Sequence, residues 1–187
     1  MSKQFKTERA SLQQSLICQG LVQLMLKKPY SVLTVSEICE AAAIPRRTFY
    51  YYFNCKEDVL TLLIEQLLKE ADLESMLMNR PPNHSLGQAF TGFFLYWRDC
   101  RRDALEALVK NGLEQELMTQ CLNWISHQTQ DMPMPEDFTP QMRSVVMRLG
   151  ISCVFYTLFD WCRGGFQESP DYMAQCVARV MLEPIYR

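Results

Sequence analysis

Apolar residues recur every three or four positions through most of this chain, the spacing that lines one face of a helix. Residues 5–27 read as a first helix, with Leu12, Leu16 and Leu24 turned towards the short helices after it, and Lys27-Lys28-Pro29 ends it. A shorter periodic stretch holds Val35, Ile38, Cys39 and Ala42, and another holds Phe49 and Phe53. A long helix is predicted over 56–78, followed by the clearest break in the chain, Asn79-Arg80-Pro81-Pro82-Asn83-His84. Ser85 can cap the next helix, and others are predicted over 101–110, from Asn111-Gly112 to about residue 130, and over 141–163 after the loop of residues 132–140. Gly164-Gly165-Phe166 breaks the chain, and Ser169-Pro170 opens the last helix as cap and first residue. No run alternates as a strand would. The fold class is therefore all-α: a three-helix N-terminal domain over residues 1–55, a connecting helix over 56–78, and a C-terminal helical bundle over 79–187.

Residues 34–60 carry the most local information. Thr34 and Glu37 have the spacing of a capping box, in which the hydroxyl accepts from the Glu37 amide and the carboxylate reaches back. Ala41, Ala42 and Ala43 keep side chains small where two helices must cross, and Ile44 anchors the turn. Pro45 can open the following helix at its first position, where no amide hydrogen is needed. Arg46, Arg47 and Thr48 then occupy the first turn, the end that meets base edges when a helix-turn-helix docks in the major groove. Arginine reads guanine bidentately, and threonine can reach a phosphate or a thymine methyl. Phe49 and Phe53 share an inward face, while Tyr50, Tyr51 and Tyr52 bring hydroxyls to the phosphates. Asn54 can cap the next helix with Glu57 three residues on, placing Lys56 in its first turn beside amides that attract a phosphate. Thr34 and Ser36, at the start of the first short helix, complete the candidate DNA-contacting set.

This segment resembles the DNA-binding domain of the TetR/AcrR family of bacterial transcriptional regulators. Thr34, Ile38, Ala42, Ile44, Thr48, Phe49, Tyr50, Phe53, Lys56, Glu57 and Leu60 fall on the family's pattern in order and without a gap. Three positions depart from it: Cys39 stands where Ala is usual, Ala43 where Gly is usual, and Pro45 where a Ser cap is usual. Cys39 is small and apolar; Ala43 is strained by about 1 kcal/mol if the turn needs positive φ. The segments 96–113 and 158–177 are similar to the C-terminal domain of a TetR subgroup common in Firmicutes. The resemblance implies a homodimer paired through the last two long helices, a palindromic double-stranded operator, and Lys3, Lys6 and Arg9 near the DNA backbone. It also implies a small apolar or aromatic effector in the C-terminal bundle. Phe90, Phe93, Phe94, Trp97, Met118, Cys121, Trp124, Met147, Phe155 and Phe159 are the candidate pocket wall, with ordinary core packing as the competing reading.

The formal net charge is only −2, yet residues 1–60 hold eight Lys and Arg against five Asp and Glu, a net of +3 on the motif-bearing part. The eight cysteines show no C-x-x-C pair, and MSKQFKTERA lacks the apolar core of a signal peptide, so the thiols are read as reduced, mostly buried and cytoplasmic. The apolar run Leu149–Cys162 contains Asp160 and is too short to span a bilayer. His84 and His127 are isolated, so neither a metal site, a cofactor nor an enzyme is expected. The expectation is a dimeric, effector-released repressor; the alternative is a helical partner- or ligand-binding co-regulator of the same fold without DNA binding of its own.

Overall fold

The computed structural model describes residues 2–71, 86–128 and 139–182, and no strand occurs among them. The expected break at 79–84, the Ser85 cap, the side chains of Lys3, Lys6, Arg9, His84 and His127, and most of the loop at 132–140 lie outside the described residues.

Helix α1 (Ser2–Lys27) buries Ile17, Cys18, Leu21 and Met25 as a single stripe. The expected inward face was offset from this one: Leu12 is 60% exposed, and Leu16 and Leu24 are only partly buried. A 3₁₀ turn (Tyr30–Val32) leads to α2 (Val35–Ala41) and α3 (Arg46–Tyr52). At Gly20, α1 crosses α2 so closely that a Cβ would meet the Ala42 nitrogen at 3.1 Å, which explains the small residues of the alanine run. The buried Ile38, Phe49 and Phe53 close the head against α1 and the start of α4 (Lys56–Glu70).

The turn between α2 and α3 is a Schellman motif: Ile44 N–H donates to Cys39 O at 2.9 Å and Ala43 N–H to Glu40 O at 3.0 Å. Ala43 takes φ +53°, the left-handed region where glycine is usual, so its Cβ is accommodated at about 1 kcal/mol. Pro45 sits one residue earlier than expected, as the N-cap with φ −65° and ψ 146°, and offers no side-chain cap.

Helix α4 buries Leu60, Leu63, Ile64, Leu67 and Leu68 and runs from the head into the body. The body comprises α5 (Leu86–Leu95), a π-helical turn (Tyr96–Cys100), α6 (Arg102–Lys110), α7 (Glu114–Gln128), α8 (Pro140–Arg163) and α9 (Pro170–Leu182). Its core is aromatic. Phe93 meets Phe155 edge-on at 5.5 Å and Phe94 meets Trp161 at 5.5 Å, arrangements that add about 0.5–1.5 kcal/mol each beyond their burial. Thr139 caps α8 by accepting from Met142 N–H at 3.2 Å, and Ser169 caps α9 by accepting from Tyr172 N–H at 3.2 Å. Helix α8 ends in a second Schellman motif, with Phe166 N–H on Trp161 O at 2.9 Å and the two rings packed at 4.9 Å. By length and composition α8 could cross a membrane, being longer than the apolar run read from the sequence. It packs instead against α6, α7 and α9, and it carries Arg143, Arg148 and Asp160.

Candidate nucleic-acid interface

Helix α3 divides its side chains sharply. Phe49 is fully buried, while Tyr50 is 58% and Tyr51 80% exposed. Arg46 and Arg47 are exposed as well, with Thr48 and Tyr52 half-buried beside them. Neighbouring phenols exposed side by side form a contiguous patch of the kind that marks an interaction surface. The Tyr51 and Tyr52 rings support each other edge-on at 4.9 Å, and Tyr50 packs edge-on to Phe49 at 5.5 Å, so the hydroxyl-bearing face rests on the head's own core. A shallow concavity bounded by Arg47, Thr48, Tyr50, Tyr51 and Tyr52 also takes in Gln13 of α1. Sequence reasoning missed Gln13, since one glutamine on a polar helix face carries no signal of what lies opposite.

The candidates around α2 are engaged within the head. Thr34 forms the expected capping box: its Oγ1 accepts from Glu37 N–H at 3.4 Å and donates to the Glu37 carboxylate at 2.8 Å. Lys28 pairs with the same carboxylate, and these two partners hold Glu37 down to about 2. Arg46 donates through Nη2 to Ser36 Oγ, tying the first turn of α3 to α2. Arg46 and Ser36 therefore act as a brace between the two helices, and Arg47 is the guanidinium turned outward.

Lys56 is also engaged within the head. Its ammonium donates to Tyr30 O at 2.9 Å, Ser31 O at 3.1 Å and Leu33 O at 3.0 Å, and it lies 4.7 Å from the centre of the Tyr30 ring. All three of its donors are used, so Lys56 clamps the turn between α1 and α2. Asn54 does not cap α4; Cys55 is the N-cap without a side-chain bond. Asp58 closes that helix start instead, accepting from Asn54 N–H at 2.7 Å, and this bond lowers its pKa.

The expected pocket residues are core. Phe90, Phe94 and Trp97 and the Cys121 thiol are fully buried, and Phe93, Phe155 and Phe159 are nearly so. Met118, Trp124 and Met147 are partly buried and pack against that core. The Trp97 Nε1 donor is buried without a partner among the described residues. A cleft of about 380 Å³ opens elsewhere, between α1, α4 and residues 99–104, with Cys18, Leu63 and Leu67 at its floor and Gln19, Gln66 and Glu70 at its rim. None of the expected pocket residues lines it.

All eight cysteines are free; Cys18, Cys39, Cys121 and Cys162 are buried, and Cys100 and Cys176 are exposed. Burial raises the Cys18 and Cys121 thiols to about 12, far from the reactive range.

A three-helix head that buries Phe49 and turns an arginine and tyrosine face outward defines a helix-turn-helix protein. Residues 17–63 match the family model described as "Bacterial regulatory proteins, tetR family". The HTH-type transcriptional regulator EthR of Mycolicibacterium smegmatis is 42% identical over 50 residues, which cover 27% of this chain and 23% of that protein. The transcriptional regulator AcuR of Cereibacter sphaeroides is 42% identical over 71 residues, 34% of this chain and 32% of that protein. The match thus spans about a quarter to a third of these relatives' length. Across the whole chain the likeness is one of fold: a TetR transcriptional regulator from Streptococcus agalactiae 2603V superposes over 96% of this chain and 98% of its own, with a TM-score of 0.62 at 14% identity. The dihydroxyacetone kinase operon activator DhaS does so over 91% and 94%, with a TM-score of 0.55 at 16% identity. The likeness to the tetR family thus lies in residues 17–63, and over the rest of the chain it is one of fold.

Proposed function

We propose that the protein is a homodimeric transcriptional repressor that binds a near-palindromic operator through α3 and releases it when a small molecule binds. The outward face of α3 carries this reading: Arg47, Thr48, Tyr50 and Tyr51 stand together on a helix whose opposite side, Phe49, is fixed in the core. Arg47 meets a base edge or phosphate, the tyrosine hydroxyls meet phosphates, and the Arg46–Ser36 brace holds the angle at which α3 enters the groove. Residues 1–55 serve as the reading head, 56–78 as the lever, and 79–187 as the regulatory and dimerising body.

One such head offers too little contact for specificity, and a dimer supplies two at about 34–36 Å. An apolar stripe on α8 supports that dimer: Met142, Val146, Leu149 and Tyr156 recur at helical spacing and are exposed, with Val180 and Met181 exposed on α9. The stripe is covered by the same surface of a second copy, an isologous pairing that places the heads on one side.

The test is a gel-shift titration on the DNA upstream of the protein's own gene at several salt concentrations. Affinity should fall steeply as salt rises, because phosphate contacts release counterions. Binding that does not change with salt, or none to any duplex, would remove the proposal. Leu149→Glu should convert dimer to monomer in sedimentation and lose operator binding with it.

A further inference from the structure

Helix α6 ends in a third Schellman motif, with Gly112 at φ +69° and Leu113 N–H on Leu108 O at 3.0 Å. Its cap residue, Asn111, bridges α6 and the head with its carboxamide. Nδ2 donates to Met25 O at 3.0 Å in the last turn of α1 as well as to Ala107 O at 2.7 Å, and Oδ1 accepts from Tyr30 N–H at 2.6 Å. Beside it, Lys110 Nζ donates to Leu26 O at 2.6 Å. The terminal carbonyls of α1, which a helix end normally leaves to water or a local cap, are thus satisfied by residues more than eighty positions away. The 3₁₀ turn that follows α1, whose Tyr30 N–H donates to Asn111, is gripped in addition by Lys56, the first residue of α4, which three residues, 53–55, join to α3.

Helix α4 runs unbroken from the head into the body, and α1 of the head packs along α6 of the body. The Asn111–Lys110 latch fixes the end of that α1–α6 packing by hydrogen bonds, and a cleft opens between α1, α4 and residues 99–104. Asparagine suits the latch because one short planar group offers two donors to two carbonyls and an acceptor to one amide. Aspartate would set a carboxylate against those carbonyls, and alanine would leave the Tyr30 amide without its bond.

We infer that Asn111, assisted by Lys110, is a positioning residue for DNA reading: it fixes the angle between head and body and so the half-site spacing that a dimer accepts. This rests on the operator-binding reading.

The experiment measures the affinity of wild type, Asn111→Ala and Lys110→Ala for operators whose half-site separation is native or altered by one base pair either way. The wild-type preference for native spacing should fall about tenfold in Asn111→Ala and about threefold in Lys110→Ala, the loss of two bonds and of one. Mere loss of folded protein scales every duplex equally and leaves these ratios unmoved, so an unchanged spacing preference in both variants overturns the inference. If Asn111→Ala does not fold, Lys110→Ala decides it by the same ratio. If wild type binds no duplex, the operator reading fails separately. The latch is then judged by amide exchange at Tyr30 in Asn111→Ala or Asn111→Ser: faster exchange supports it, and exchange as slow as in wild type overturns it.

Discussion

In the head, local devices close the elements: a Thr34–Glu37 capping box on α2, a Schellman turn at Ala43, and an Asp58 cap for α4. The body has caps at Thr139 and Ser169 and two Schellman turns as well, and its helices are positioned above all by what they bury, chiefly Phe90, Phe93, Phe94, Trp97 and Phe155. Seven-residue helices such as α2 and α3 are too short to be stable by propensity, so caps and an anchoring phenylalanine must fix them. The longer α8 adds many apolar contacts to its own Thr139 cap and closing Schellman turn. A head built this way holds a polar face at a defined angle.

The sharpest way to break this contrast is to remove one core ring from each side. Phe49→Ala and Phe93→Ala should each lower stability by about 3–5 kcal/mol in urea unfolding. Per folded molecule, only Phe49→Ala should also abolish operator affinity, because it releases α3. Equal loss of affinity in both would erase the distinction between head and body.

Lys56→Met comes next. With Ser31 O and Leu33 O losing the Lys56 donor and Tyr30 O keeping only Leu33 N–H, stability should fall by about 1–3 kcal/mol, and DNA affinity should fall through the head's geometry. An unchanged melting temperature with weakened DNA binding would return Lys56 to a phosphate-contacting role.

A smaller effect is expected from acid. The Glu37 carboxylate is held down to about 2 by Lys28 and Thr34, from an ordinary value of 4.5. A lowered folded-state value means stability present above pH 4.5 and lost as pH falls towards 2. Glu37→Gln should flatten that part of the unfolding profile, and an identical profile would show that the capping box contributes nothing measurable.

The smallest is Ala43→Gly. Relief of the left-handed strain should raise stability by roughly 0.5–1 kcal/mol, and a loss instead would mean that the alanine methyl packs better than its φ of +53° suggests.

The sequence was most legible where chemistry is local. The Thr34–Glu37 box, the inward Phe49 and Phe53, the crossing at the alanine run and the Ser169–Pro170 helix start all come from spacing over four or five residues, and the structure has them. It was least legible where partners come from far along the chain. The sequence places Lys56 in the first turn of α4 but not against the carbonyls of Tyr30, Ser31 and Leu33, which lie more than twenty residues before it. Asn111-Gly112 read as a helix boundary, and nothing nearby announces that the carboxamide reaches α1. The aromatic and methionine residues of the body looked the same whether they lined a cavity or filled it, and they pack as core. The offset of the α1 stripe from Leu12 to Ile17 and Leu21 reflects a helix with apolar residues on more than one face, whose register only its neighbours decide.

The most direct test of the reading face is the salt dependence of operator binding in wild type and Arg47→Ala. With one outward guanidinium gone, affinity should weaken and the slope of log affinity against log salt should become shallower by about 0.9, the share of one phosphate contact. A slope and affinity equal to wild type would contradict the account, because Arg47 would then touch no DNA.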